Sequence, residues 1–443
     1  MHRKRPFSGK PLLASTLIAT LGGVTLAGLL NGCTRQVEIE PLHTLQVSAV
    51  YNDEQIQLRF RYPTEQPSWY HQVLRYEDGR WVRYGNGDPD ANPYQLYEDR
   101  ISMMLDDGSV EGFDRFGGFM TVHQGLRTLP SAASREEVST HPWLGEVLGR
   151  TDVRKFLPQS RDVAHASESS WDKPRDEAQL QALREQGVFI DLWQWRAHRS
   201  HPIGYADNGY ILDYRHSAEG QGMFVTNWDT EREQPRWMFN AEQTGFHALE
   251  WGRLIARGYS QDDPYFLAEG HAIPFDPEHA WQEGDVIPQR LLREPTGSRA
   301  AIRADGRWAD GYWDVRLTRS LKAPNPLDSK TLRDGGLYQV AFAVHEASGA
   351  RWHHVSLPLS LGLEVPAEIR AQRVDGPLDE ARADWHTVAL IRPSQHINWQ
   401  WLHSDHGGAR RLGREPDTRV NDVHDPEGLE RRMRLLDGRM QAR

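Results

Sequence analysis

Period-two alternation of apolar and polar residues recurs at both ends of the chain's main body. Leu45–Tyr51 and Gln55–Tyr62 alternate on either side of Asn52-Asp53-Glu54. That pattern with an Asn-Asp turn predicts a β-hairpin. Tyr97–Leu105 and Gly311–Arg319 read as further strands. Leu337–His345 and Trp352–Leu361 flank Ala347-Ser-Gly-Ala350, which predicts a second hairpin. The middle is different. Thr151–Lys173 is polar, Glu177–Gln186 predicts a short helix, and Val188–Arg199 suits either strand or helix. From Ser217 to Pro295 turn residues dominate. The expected body is therefore mainly β. It is an antiparallel β-sandwich with a long loop-rich insertion and a few short helices, its early and late strands pairing in one domain. The predicted domain spans 45–365 with the insertion at about 125–300, and 366–443 forms a C-terminal extension whose Pro426–Met440 suits an exposed helix.

The first 32 residues change the picture from fold to address. Arg3, Lys4, Arg5 and Lys10 precede an uncharged apolar run, Pro11–Leu30, which ends in Leu30-Asn31-Gly32-Cys33. This is the pattern of a secretory signal, and its end resembles a bacterial lipobox with Cys33 as lipid acceptor. A transmembrane anchor is the competing reading, since the run is long enough to span a bilayer. Three glycines and the Leu-Asn-Gly-Cys ending favour cleavage. The expected product is a periplasmic lipoprotein, sorted to the outer membrane because no Asp follows the cysteine, with a linker over 33–44. Removing the four basic residues takes the net charge from −10 to −14, which argues against nucleic acid as a partner. Cys33 is the one cysteine of the sequence. That excludes internal disulfides, thiolate metal clusters and Cys-x-x-Cys-His haem attachment within this chain. The sixteen Trp and fourteen Tyr suit a sandwich core, a cofactor pocket or sugar stacking alike.

Four segments, in order, carry a resemblance: Glu98–Met104, Asp191–Ser200 with Pro202–Asp207, Gly311–Leu321 and Tyr338–His345. They resemble the ethylbenzene dehydrogenase haem-binding domain family, a cytochrome c-552/DMSO reductase-like haem-binding domain. The matches are spread over residues 45–363. The resemblance implies a sandwich holding one non-covalent b-type haem, gripped by a Met from an early strand and a Lys or His from a late one. The early candidates are Met103 and Met104. They are adjacent on a strand, so one alone faces the pocket, and Met104 is favoured. The late candidates are His353 and His354, of which His353 is favoured. Met with His as axial donors suits electron transfer, so the chain is expected to have no catalysis of its own and to serve a redox enzyme or cytochrome partner. Phe119–His123 and Val420–His424 have the spacing of degraded haem-attachment motifs, which makes His123 a further candidate.

Each candidate has a plainer reading. Met103 and Met104 suit core filling, and the histidines suit ordinary hydrogen bonds. Trp193 and Trp195 either wall a haem or pack a core. Arg196 and Arg199 either meet haem propionates or form structural ion pairs, the latter being favoured. Asp262, Asp263 and Glu269 read as solvated. Hydrolase, metalloprotease, Walker A and dinucleotide motifs do not occur in the sequence. The alternative function is a carbohydrate-binding or purely structural lipoprotein module of the same sandwich fold without haem.

Overall fold

The computed structural model describes residues 43–121, 133–162, 170–349, 353–378 and 383–390. The predicted signal and Cys33, His123, the 420–424 motif and the 426–440 helix lie outside them.

The first predicted hairpin is present as β1 (His43–Tyr51) and β2 (Gln55–Pro63), paired from Gln46↔Arg61 to Tyr51↔Ile56. Asn52 shapes its turn, its side-chain oxygen accepting from the backbone of Glu54 and Gln55. The next strands are β3 (Val73–Glu77), β4 (Arg80–Tyr84), β5 (Arg100–Asp106), β6 (Ile190–Arg196), β7 (Tyr205–Ile211) and β8 (Arg215–Ser217). The ambiguous 188–199 segment is thus a strand, β6. Short strands fill the turn-rich stretch: β9 (Phe224–Thr226), β10 (Trp237–Phe239), β11 (Leu249–Glu250), β12 (Leu267–Ala268), β13 (Ala272–Pro274), β14 (Asp285–Pro288) and β15 (Arg290–Leu292). The late strands are β16 (Ile302–Ala309), β17 (Tyr312–Ser320), β18 (Leu337–His345), β19 (His354–Val355), β20 (Leu359–Leu363), β21 (Ile369–Arg373) and β22 (His386–Leu390). The predicted helix is present at Glu177–Glu185, opened by an Asp176–Gln179 capping box.

The chain is mainly β with a few short helices, as its alternation implies. The two layers expected of a sandwich are one continuous sheet here. Its order is β16-β17-β2-β1-β21-β20-β18-β5-β6-β7, and β16 pairs back onto β7, closing a ring. Two of the pairings, β1–β21 and β20–β21, are parallel. The ring runs past residue 365, taking in β21, with β22 against β1. Early and late strands do pair: β2 against β17, and β5 against β18. Smaller sheets, β11-β14-β3-β4, β12-β15-β9 and β10-β13, come largely from the insertion.

Aromatic side chains fill the ring. Trp195 of β6 meets Trp313 of β17 at 4.9 Å, and Phe60 of β2 meets Phe342 of β18 at 5.8 Å. Trp193, Trp195 and Trp313 are fully buried. One ion pair sits inside this apolar filling. Arg319 donates to Asp191 at 2.6 Å, and the same carboxylate accepts from Trp193 Nε1 and the Lys330 backbone. A buried charge needs such saturation to be tolerated.

Candidate functional site

Strand register divides the candidates between two faces of one wall. On β5 the odd residues Ile101, Met103 and Leu105 share a face with Trp195, Trp193 and Asp191 of β6 and with Val344, Phe342 and Val340 of β18. That face is the inside of the ring. The outer face carries three rows across β18, β5 and β6. They are His345, Arg100 and Arg196, then Ala343, Ser102 and Gln194, then Ala341, Met104 and Leu192.

Met103 and Met104 therefore point opposite ways. Met103 is wholly buried against the ring's aromatic filling, and its sulfur is core. Met104 keeps 9% of its surface exposed. It lies beneath the short helical segment Phe113–Thr121, where a Cβ placed on Gly118 would sit 3.4 Å from Met104 Sδ. Gly117 in that segment has φ +50, and a side chain there would be crowded by Pro358 at 3.1 Å and the Ala341 Cβ at 3.2 Å. The segment can therefore lie directly on the third row. Phe119, where a haem-attachment motif would need a cysteine, is buried.

His353 and His354 divide in the same way. His354 stands opposite Val344 in the inner set. His353 stacks on His345 of the outer set, ring centroids 4.7 Å apart and 14° from parallel. His353 Nδ1 is buried and has no hydrogen-bond partner among the described residues. Burial, with Lys155 and Arg100 nearby, holds the His353 imidazole down to about 3, so it is neutral and able to donate a lone pair. His345 is likewise depressed by burial and by Arg100, whose guanidinium lies 3.0 Å from its Nδ1.

The outer strip thus has a thioether near one end and a neutral imidazole at the other. Ser102, Ala341 and Ala343 form a low floor between them. Four residues of strand separate Met104 from Arg100, about 13 Å along β5.

The arginines predicted for this strip have other partners. Arg196 donates to Asp207 at 2.7 Å, and Arg299 donates to the same carboxylate at 2.8 Å. Arg199 is ion-paired with the fully buried Glu98, which also accepts from the backbone N–H of His198 and Arg199. The favoured plainer reading, structural ion pairs, describes both. Trp193 and Trp195 are on the inner face, so they pack the core behind the strip and do not wall it.

Sequence reasoning missed three cations: Arg100, Lys155 and Arg215. None makes an ion pair with a carboxylate among the described residues. Lys155 donates to Thr121 Oγ1 at 3.2 Å, and Arg215 donates to Gln194 in the middle row. Burial lowers all three, Lys155 to about 8, Arg215 to about 9 and Arg100 to about 10. Arg100 was legible, being two period-two steps before Met104. Lys155 and Arg215 carry no local signal.

The donor types, with cations that have no carboxylate partner among the described residues, suit a dianionic macrocycle with a low-spin iron. Met and His are established axial donors, and carboxylates meet guanidinium and ammonium groups by charge-assisted hydrogen bonds.

Residues 32–356 match the family described as ethylbenzene dehydrogenase. The chain is also 34% identical over 92 residues to cytochrome c-552 of Stutzerimonas stutzeri. That similarity covers 20% of this chain and 30% of the cytochrome, so the chain matches under a third of that relative's length. Together these findings tie the chain to a haem-related or redox role. They also correct one expectation. A chain with no part in catalysis was expected, and the family matched is named for an enzyme.

Proposed function

Because the chain belongs to the ethylbenzene dehydrogenase family, we propose that it is the haem-carrying, electron-transferring part of a dehydrogenase-type redox system. The haem is b-type and held non-covalently on the outer strip of β5, β6 and β18. The observation that carries this reading is the strip itself: Met104 and His353 both reach the outer face, so that a haem would stand between them, and the three cations beside them have no carboxylate partner among the described residues. Met104 and His353 would hold the iron, and Arg100, Lys155 and Arg215 the propionates. Bound there, haem b supplies one-electron transfer. The chain's residues do the rest. Phe113–Thr121 excludes water from the Met104 side. Depression of His353 keeps its nitrogen unprotonated, and the cations offset the propionate charge without a proton having to be taken up. The sequence has no second cysteine for covalent attachment.

The address proposed from the sequence goes with this role. Lipid on Cys33 would keep the protein at a periplasmic membrane surface, most simply the outer membrane, near a redox enzyme or cytochrome partner. Sugar binding has weaker support. Among the described tryptophans Trp385 alone is markedly exposed, and the Arg59 guanidinium lies over its ring.

The test is absorbance of the exported protein. A Soret band with sharp reduced α and β bands is expected, lost or converted to a high-spin spectrum in Met104→Ala and His353→Ala and kept in Met103→Leu. A folded wild type that stays colourless with added haem would sink the reading.

A further inference from the structure

The wall that presents His353 outward presents a second donor cluster inward. His43 opens β1 on the face of Leu45 and Val47, Glu346 directly follows β18, and His354 opens β19 opposite Val344. All three meet at one end of the ring. One ligand atom from each lies within 4.8 Å of the other two. The two imidazoles stack at 3.8 Å and 29°. His43 Nδ1 is 3.4 Å from Glu346 Oε1, and that oxygen is buried and accepts no hydrogen bond among the described residues.

An N–H···O hydrogen bond closes to about 2.7–3.2 Å, so 3.4 Å is long for one. It matches the ligand-to-ligand edge of a tetrahedron whose metal bonds are about 2.1 Å, the ordinary Zn–N and Zn–O length. We propose that His43, Glu346 and His354 form a site for a first-row divalent metal ion of the zinc class, separate from the haem strip. The donor chemistry selects the class. A majority of imidazole disfavours calcium and magnesium, and the absence of thiolate from the set disfavours soft monovalent copper. Three protein donors leave a fourth position for water, as in two-His-one-carboxylate zinc sites. The ion ties the first strand of the domain to the segment that carries His353, although the haem reading uses none of its ligands.

Zn²⁺ alone, titrated calorimetrically into the chelator-stripped full chain, tests this. One equivalent binding at about 1 µM or tighter is expected, with a rise in melting temperature. Glu346→Gln and His43→Gln should each weaken binding by at least about tenfold, as loss even of outer-shell partners does. His279→Gln, in a separate histidine pair with His247, should leave it unchanged. Circular dichroism of each variant checks folding, and Glu346→Gln keeps the side chain's shape. Co²⁺ in place of Zn²⁺ should give intense visible bands from a low-coordinate site. Absence of tight binding, or equal binding by wild type and Glu346→Gln, overturns the proposal in favour of a simple His43–Glu346 ion pair.

Discussion

Single residues decide most where burial leaves them no alternative partner. Asp191 accepts from Arg319, Trp193 and the Lys330 backbone inside the ring, and both members of the ion pair are fully buried. Removing one leaves the other charge stranded. Asp191→Ala should cost about 3–5 kcal/mol of stability, read from the denaturant midpoint at constant slope. A loss under about 1 kcal/mol would mean the pair is solvated. The residue scale is also where sequence reasoning was least complete. Period two separates Met103 from Met104 and His353 from His354, but it does not say which member looks outward. That depends on the ring closing around Trp193, Trp195 and Trp313, a long-range fact. Arg196 and Arg199 were legible as charged, and their carboxylate partners lie at Asp207 and Glu98, close and distant in sequence respectively.

At the scale of elements, alternation located the hairpins and the late strands because each has one buried face. It located the strands of the insertion poorly. β11 and β12 are two residues long, too short for a periodicity to show. The helix at Glu177–Glu185 was legible as a short helix-forming run, and its Asp176–Gln179 box is what caps it. β16 shows a constraint that no pattern announces. A Cβ on Gly306 would stand 2.7 Å from Trp195 Cζ2, and this rigid ring has Trp313 on it. Gly306→Ala should therefore destabilise by about 1–3 kcal/mol through overpacking, with a shift in tryptophan fluorescence as Trp195 is displaced. Unchanged melting and emission would show that β16 has slack.

Over the whole molecule, buried neutral histidines set the response to acid. Burial depresses His198 and His201 to about 4, and His71 well below its ordinary value, aided there by Arg199. The unfolded chain protonates these groups near 6.5 and the folded one does not. Their stabilisation is complete above pH 6.5 and drains away as the pH falls toward 4, with His198 alone accounting for up to about 3 kcal/mol. Asp99, raised by burial to about 7, and Asp106 and Asp191, also raised by burial, act in the opposite sense over part of the same range, but His345 and His353 are depressed as well, which sets five histidines against three carboxyls. Urea midpoints should fall steadily from pH 7 to 4.5. A flat profile would show the histidines to be hydrated.

The ring's closure has a mechanical consequence. β17 and β2 join along nine residue pairs, while β16 and β7 join at two, Ile302↔Ala206 and Arg303↔Tyr205. The rest of that edge of β7 is taken by β8. The cylinder is thus a cuff with a short clasp. Swelling of its packed interior, by an oversized side chain or an intruding guest, would be relieved at the clasp first. The strip starts on β6, next to β7, and ends on β18, so its Arg196 and Gln194 edge would feel a yielding clasp before the histidines beside β18 do.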